Sequence, residues 1–505
     1  MLRHDFLTVV QIVRQAPGIL CSSPLPAIKR IMITGKVLKK RGWKEGRIIG
    51  LAKMAAHALE HAGATEEEIL DRLDEVLADP AKFTAAKPFE ELAAEVLSRE
   101  RSDASKVADT LRESPLPFDI WGEEGIEGNA TQQMRNAMSL PIAVAGALMP
   151  DAHVGYGLPI GGVLATRDTV IPYAVGVDIA CRMRISIYDV SPDILSGHQG
   201  KFEKSLAEQC KFGMKERFSV HDRPEHEVLD DEDWKATKFL KPLRQKAIEQ
   251  LGTSGGGNHF VEWGEFELPS DSSELGLAKG TYLALLSHSG SRAVGFKIAN
   301  EFSRLAMSLH PKLDQVVKHL AWLDLDSDAG REYWLSMELA GRFAAANHAI
   351  IHSRVSKAAG MKEVAHVENH HNFAWKEAMA DGSEAVVHRK GATPAGEGVL
   401  GIIPGSMGDP GFVVRGKGKI ESLNSASHGA GRKMGRKAAI NSLTKGERDR
   451  YLQERGVRLL GGGLDEAPQA YKDIHGVIAA QADLVDVLGK FTPRIVRMAD
   501  EAGDY

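Results

Sequence analysis

The chain has 505 residues, 43% hydrophobic and 26% charged, with a formal net charge of −5; that length suits one large domain or two to four ordinary ones of roughly 100–200 residues, and the composition is that of a soluble globular protein. The negative balance excludes nucleic-acid binding through an overall attractive field, so such binding requires a local basic patch. Cys21, Cys181 and Cys210 are odd in number and far apart, which excludes a disulfide framework and points to a reducing, cytoplasmic compartment.

Residues 1–31 carry scattered Arg and Lys without a sustained apolar region and cleavage site, so they do not read as a signal peptide, and Met32 offers an alternative start. Residues 46–112 are helical in pattern. Leu51, Ala55, Ala58 and Leu59 share one face up to Gly63, and Thr65 with Glu68 forms a capping box ahead of Ile69, Leu70, Leu73, Val76 and Leu77. No chemistry is apparent there, and the region is expected to dock on the main body.

From about Leu116 short β-like runs broken by glycine take over, among them "GGVLAT", "CRMRISIYDV", "TYLALL" and "GVLGIIP", which predict mixed sheets. The longest apolar run, Ile142–Met149, falls far short of the ~20 residues of a membrane span. Residues 197–250 are charged and aperiodic, as in a surface insertion with some helix, and 297–360 return to helix. The predicted fold class is α+β: a helical extension over 1–115, then a catalytic domain over 116–505.

Residues able to bind metal recur where apolar runs meet glycine. In "AVGVDIACRM" Asp178 and Cys181 stand three apart and converge on one ion if the chain turns between them. In "LGTSGGGNHFVEW" three glycines lead into Asn258, His259 and Glu262; in "LLSHSGSR" a strand delivers His288 to a turn ending at Arg292; "VENHHNFAW" supplies His370, His371 and Asn372. Each histidine alone is more often a hydrogen-bonded structural residue. Their repeated placement favours a ligand set, and a carboxylate, a thiolate and three imidazoles exceed one tetrahedral site, so two ions sharing the thiolate fit. Zinc, iron, cobalt and manganese all suit these ligand types.

Two further stretches suit phosphate. "VLGIIPGSMGDPGFVVRGKGK" offers a turn at Pro404, Gly405, Ser406 and Met407, then Arg415, Lys417 and Lys419; "NSASHGAGRKMGRK" sets His428 among small residues before Arg432, Lys433, Arg436 and Lys437. Glycine permits close backbone approach, and turn amides with nearby cations hold anions. Neither a Walker loop nor a GxGxxG after a strand is present.

The segments "PDAHVGYGLPIGG", "AVGVDIAC", "GGGNHF", "SHSGSR", "HHNFA", "PGSMG" and "SHGAGR" occur in this order over about residues 118–445, and in that combination the chain resembles the RtcB family of GTP- and manganese-dependent RNA ligases. The resemblance implies a mixed-sheet core around two manganese ions, a guanylylated histidine, and joining of RNA 3′-phosphate or 2′,3′-cyclic phosphate ends to 5′-hydroxyl ends in tRNA splicing or RNA repair. It implies Asp178, Cys181, His259, His288 and His371 as metal ligands, with Cys181 bridging. Asn258, His259, Glu262, His371, Asn372, Pro404–Met407 and His428, Gly429, Ala430 and Gly431 match the guanylate site, Arg292 a residue holding an RNA terminal phosphate, and His428 the nucleophile. Broken RNA, GTP and an accessory activating protein are the partners it implies.

The chain departs from the family at three places. Arg182 stands where a small residue is usual, Gly411 where a serine is usual, and the C-terminus "RIVRMADEAGDY" lacks the lysine-bearing tail. Two other activities compete: a metal-dependent RNA-end phosphatase or cyclic phosphodiesterase that needs no His428, and a non-catalytic RNA-end-binding protein.

Overall fold

The computed structural model describes residues 33–104 and 109–500; Cys21, Met32 and the last five residues of the tail lie outside them. The chain separates into two compact units, the first ending at Glu100 and the second starting at Arg101. Among the described residues no helix is long and apolar enough to cross a membrane.

The first unit consists of helices Gly35–Lys40, Arg47–His61, Glu66–Ala78 and Glu90–Ala104. The capping box forms as expected, Thr65 and Glu68 each satisfying a backbone N–H of the other. The buried face of Arg47–His61 runs through Ile48, Leu51, Ala52, Ala55 and Ala56. Ala58 does not join it: the 3.6-residue period carries the stripe from Ala55 to Leu59 and turns Ala58 to solvent.

The second unit holds two large sheets and, among the described residues, three two-stranded ones. A five-stranded sheet runs Asp119–Ile120, Ala143–His153, Ile160–Thr166, Glu384–Lys390, Asn372–Ala378; an eight-stranded sheet runs Glu363–His370, Arg182–Tyr188, Gly280–Ser289, Phe260–Leu268, Val485–Met498, Gly411–Gly416, Leu400–Ile403, with Arg458–Leu460 beside the long fifth strand. Pairing is mostly antiparallel, which permits alternation between two differently used faces. On one face Met183, Ile185, Phe260, Phe266, Leu286 and Val413 form an enclosed core. On the other, Tyr188, Trp263 and Leu285 pack with Phe202, Ile351 and Val355 from flanking helices. The sheet curls until its two edge strands meet, where the Asn369 side chain donates to the Ile402 carbonyl at 3.4 Å and accepts from its N–H at 3.0 Å. That pairing covers edges that would otherwise expose backbone.

Helices Arg292–Leu309 and Asp328–Ala359 realise the helical region expected over 297–360. Residues 197–250 are more than a surface insertion. They form helices Gln199–Gln209 and Leu243–Gln250 joined by short 3-10 turns, and they bury Phe202, Leu206, Trp234, Leu240 and Ala247. Their apolar residues are too irregularly spaced to give a period, yet each fills the core beside the long helices; Trp234 Nε1 donates to the Val228 carbonyl at 2.7 Å.

The long helix also carries a buried polar network. His352 Nδ1 lies 2.7 Å from Ser186 Oγ and its Nε2 2.8 Å from Ser287 Oγ, which in turn sits 2.7 Å from His348 Nδ1. Burial holds both imidazoles well below their usual pKa, so they stay neutral while the unfolded chain's histidines protonate below about pH 6.5. Because the unfolded state then binds more protons, stability falls with pH by about 1.4 kcal/mol per unit for each such group. His352→Gln should flatten that slope by one proton. Urea midpoints at about pH 7.5 and 5.5 check it, and equal slopes in parent and variant would refute the network's role.

Candidate metal centre and nucleotide site

The eight-stranded sheet's enclosed face continues upward into polar side chains. Cys181 and His288 follow the same alternation as Met183 and Leu286, and His371 follows that of Val367 and Asn369. His288 lies inside the strand Gly280–Ser289, not on the turn after it, because the strand continues past the apolar run. His371 occupies the corner between Glu363–His370, an edge of the eight-stranded sheet, and Asn372–Ala378, an edge of the five-stranded one. Its N–H donates to the Cys181 carbonyl at 3.0 Å, and the Ala392 N–H donates to the His371 carbonyl at 3.2 Å. The turn expected between Asp178 and Cys181 is present: Cys181 N–H donates to Asp178 O at 3.1 Å, with Ala180 at φ +57°.

These elements bring five side chains together. Cys181 Sγ stands 3.4 Å from His259 Nε2 and 3.1 Å from His288 Nε2; His288 Nε2 is 3.2 Å from His371 Nε2, and Asp178 Oδ2 is 3.0 Å from His259 Nε2. His288 Nδ1 donates to the Asn258 carbonyl at 3.1 Å, which fixes its Nε2 as a lone pair facing the cluster. Burial, and then neighbouring Asp178, push the Cys181 thiol well up, and burial holds His288 and His371 well below their usual value. Two glycines permit the approach: a Cβ on Gly255 would overlap His259 Nδ1, and one on Gly290 the Asp178 carboxylate.

His428 stands next to this cluster, its ring centroid 4.8 Å from that of His371. Its Nδ1 is 2.6 Å from Oδ2 of the fully buried Asp151, which also accepts from the His428 backbone N–H at 3.2 Å. With Nδ1 donating to the carboxylate, Nε2 is left as a free nucleophile. Asp151 was not singled out in the sequence. It lies 277 residues away, and its one signal is its place in "PDAHVGYG".

Both groups line a cavity of about 890 Å³ whose wall also includes Asn258, Pro404–Met407, Gly429–Gly431 and Asn372. Asn372 is already employed: its amide donates to Asp178 O at 3.2 Å and accepts from Gly391 N–H at 2.8 Å, tying the metal-side turn to the next loop. Ser406 donates to Asp409, holding its turn tight. Glu262 shares the pleat face of the wall residue Phe260 but is not itself on the wall; it is 4% exposed, and its Oε2 has no partner among the described residues. Burial raises its carboxyl well above the usual range. Arg292, at φ +57°, is buried and spends Nε on Thr253 Oγ1 at 3.1 Å and one terminal nitrogen on Gly213 O at 2.6 Å. It is not among the cavity's wall residues. Lys390 is on that wall, and burial lowers its amine to about 7.

The basic stretches are less free than their sequence suggests. Arg432 and Arg436 pair with Glu466 and Asp465, and Arg415 and Lys417 with Asp486; Lys433 and Lys437 are exposed. Arg182 faces away from the cluster, donating to Glu368 at 3.3 Å and lying 3.2 Å from His370 Nδ1, so its bulk does not crowd the ligands. Gly411 opens a buried strand paired with Phe491, and a Cβ there would stand 3.3 Å from Pro404 Cα.

The donor set fits metal: ligand atoms of Cys181, His259 and His288 lie close enough together to share an ion, with Asp178 Oδ2 and His371 Nε2 beside them. A cation satisfies lone pairs that no hydrogen bond among them can. Loading must drive off the raised Cys181 proton, so affinity should weaken as pH falls. Cys181→Ser is expected to lose metal in elemental analysis, and parental stoichiometry in that variant would count against a bridging thiolate.

Residues 133–499 match the family described as tRNA-splicing ligase RtcB. The RNA-splicing ligase RtcB of Escherichia coli K12 is 31% identical over 405 residues, covering 74% of this chain and 95% of that protein. The tRNA-splicing ligases RtcB of Nanoarchaeum equitans and Archaeoglobus fulgidus are 32% and 30% identical, covering 72% of this chain and 90% and 88% of theirs. With the converging ligand set and the carboxylate-held histidine beside it, these matches make the chain a member of the RtcB family.

Proposed function

We propose that this protein is a GTP- and manganese-dependent RNA ligase joining 3′-phosphate or 2′,3′-cyclic phosphate ends to 5′-hydroxyl ends, in tRNA splicing or RNA repair. The observation that carries the reading is the Asp151–His428 pair, a nucleophile oriented by a buried carboxylate and set against the metal-type cluster in one cavity. The names of its relatives point the same way. The reaction is assigned to residues 116–505, which lie in the second of the two units. The free Cys181 and Cys210 suit a cytoplasmic setting.

Asp178, Cys181, His259, His288 and His371 would hold two manganese ions, Cys181 bridging; when bound, these neutralise charge developing on phosphoryl oxygens. His428 Nε2 attacks the α-phosphorus of GTP, forming a P–N bond as the bond to pyrophosphate breaks. Asp151 holds the ring and stabilises the cation that forms on it. A 2′,3′-cyclic end is first opened by water, which breaks the P–O2′ bond and leaves a 3′-phosphate; the guanylate passes from His428 to that 3′-phosphate, and attack by the 5′-hydroxyl then closes the strand and releases GMP. The turn Pro404–Met407 and the run Gly429–Gly431 offer small residues and backbone to the nucleotide, and Asn258 lines its pocket; for Arg292 to hold the RNA terminal phosphate it must exchange its bonds to Thr253 and Gly213 for that phosphate.

Incubation with α-labelled GTP and manganese should label the parent protein, and His428→Ala should abolish the label without loss of metal. Asp151→Asn should slow labelling roughly a hundredfold or more by removing the charge that holds the ring. Label retained in His428→Ala would overturn the assignment.

Glu262 reads the base. Guanine presents N1–H and an amino group side by side, two donors for a carboxylate, whereas adenine faces it with a lone pair. Since burial raises the free carboxyl, it must release its proton to accept both donors, so GTP affinity should rise with pH until that raised pKa is passed. GTP should label in preference to ATP by roughly tenfold to a hundredfold, and Glu262→Ala should lose the preference. Equal labelling by both nucleotides in the parent would exclude the role.

A further inference from the structure

The loop joining Ala143–His153 to Ile160–Thr166 forms part of the cavity wall through Val154, Gly155 and Tyr156. None of these has a role in the steps above. Tyr156 is 68% exposed and Val154 46%. A tyrosine ring carries one of the largest apolar surfaces available, and a fold ordinarily buries most of it. Here the backbone is held so that the ring stays out. Gln133 grips Gly155 from both sides, donating to its carbonyl at 2.6 Å and accepting from its N–H at 3.0 Å. The buried Lys390 amine donates to the Tyr156 carbonyl. Gly157, at φ +71°, lies against His319.

The ring itself is buttressed at its edge. His319 meets it at 6.2 Å between centroids and 74° between planes, and Tyr173 supports His319 at 5.1 Å and 87°. The Tyr156 hydroxyl has no hydrogen-bond partner among the described residues. The loop's far end reaches the nucleophile: Ile160 and His428 both border Gly391, whose Cβ position is 3.1 Å from His428 Cε1. A rigid, exposed aromatic face near a group that handles RNA ends matches the way single-stranded bases are held, by stacking that tolerates any base.

Resting on the ligase reading, we propose that Tyr156 is the platform on which a terminal nucleobase of one RNA strand stacks as that end is presented to His428. The aromatic face and not the hydroxyl makes the contact. Guanine of GTP is assigned to Glu262, so Tyr156 serves the RNA and not the nucleotide.

The full-length protein, with manganese and GTP, is assayed for ligation of strand pairs whose 3′-terminal or 5′-terminal nucleotide is normal or abasic. Tyr156→Ala should raise the KM for RNA by about tenfold to a hundredfold, and Tyr156→Phe should stay within about twofold of the parent. Removing the base from one of the two ends should cost the parent the same factor and cost Tyr156→Ala nothing further. Three results would overturn the proposal: a parental KM in Tyr156→Ala, a Phe variant as impaired as Ala, or base removal adding its full penalty to the Ala variant. A raised requirement for GTP in the labelling step would instead place the ring under guanine and also overturn it. Absence of any label in the parent would mark failure of the ligase reading itself, before RNA enters.

Discussion

The crowding of five donor side chains into one cluster sets the terms for this structure. Three imidazole nitrogens, a thiol and a carboxylate crowd within 3.0–3.4 Å contacts, and His288 has already committed its one proton to the Asn258 carbonyl. Left bare, such a group is costly to bury, because desolvated acceptors repel and go unsatisfied. A cation at their centre reverses the sign. The surrounding backbone reads as the scaffold that holds this arrangement together: the corner at His371, the left-handed turn at Ala180 and the absence of side chains at Gly255 and Gly290.

That scaffold divides the chemistry between two sheets. The eight-stranded sheet presents Cys181, His288 and Glu262 on its enclosed face, so a thiol, an imidazole and a carboxyl share a low-dielectric interior. The five-stranded sheet brings Asp151 and, through its edge strand, the His371 corner. His428 bridges them, its backbone and ring both held by Asp151 while its ring lies tilted beside that of His371. Packing of the second sheet against the first therefore sets His428 beside the Cys181–histidine cluster.

Much of this was legible in the sequence where the physics is local. The capping box at Thr65, the turn between Asp178 and Cys181, and the strands Arg182–Tyr188 and Leu400–Ile403 follow from short-range pattern. Histidines beside glycine, serine or asparagine at the ends of apolar runs marked the candidate segments, and the family resemblance singled out the five ligands, His371 among them and not His370. Their convergence could not be read there, since it depends on long-range pairing of strands up to about two hundred residues apart. Asp151 carries no local mark of its partnership with His428. Trp234 and its neighbours were read as surface because isolated core residues give no period. The cations after Ser406 and His428 looked available for a polyanion, and only the fold shows Asp465, Glu466 and Asp486 beside them.

The central claim is that the seam between the sheets is a bridged metal site, and anomalous diffraction at the manganese edge from crystals of the manganese-loaded protein tests it most directly. The account predicts two peaks sharing Cys181 Sγ, with Asp178, His259, His288 and His371 divided between them. A single peak, or peaks away from Cys181, would contradict it.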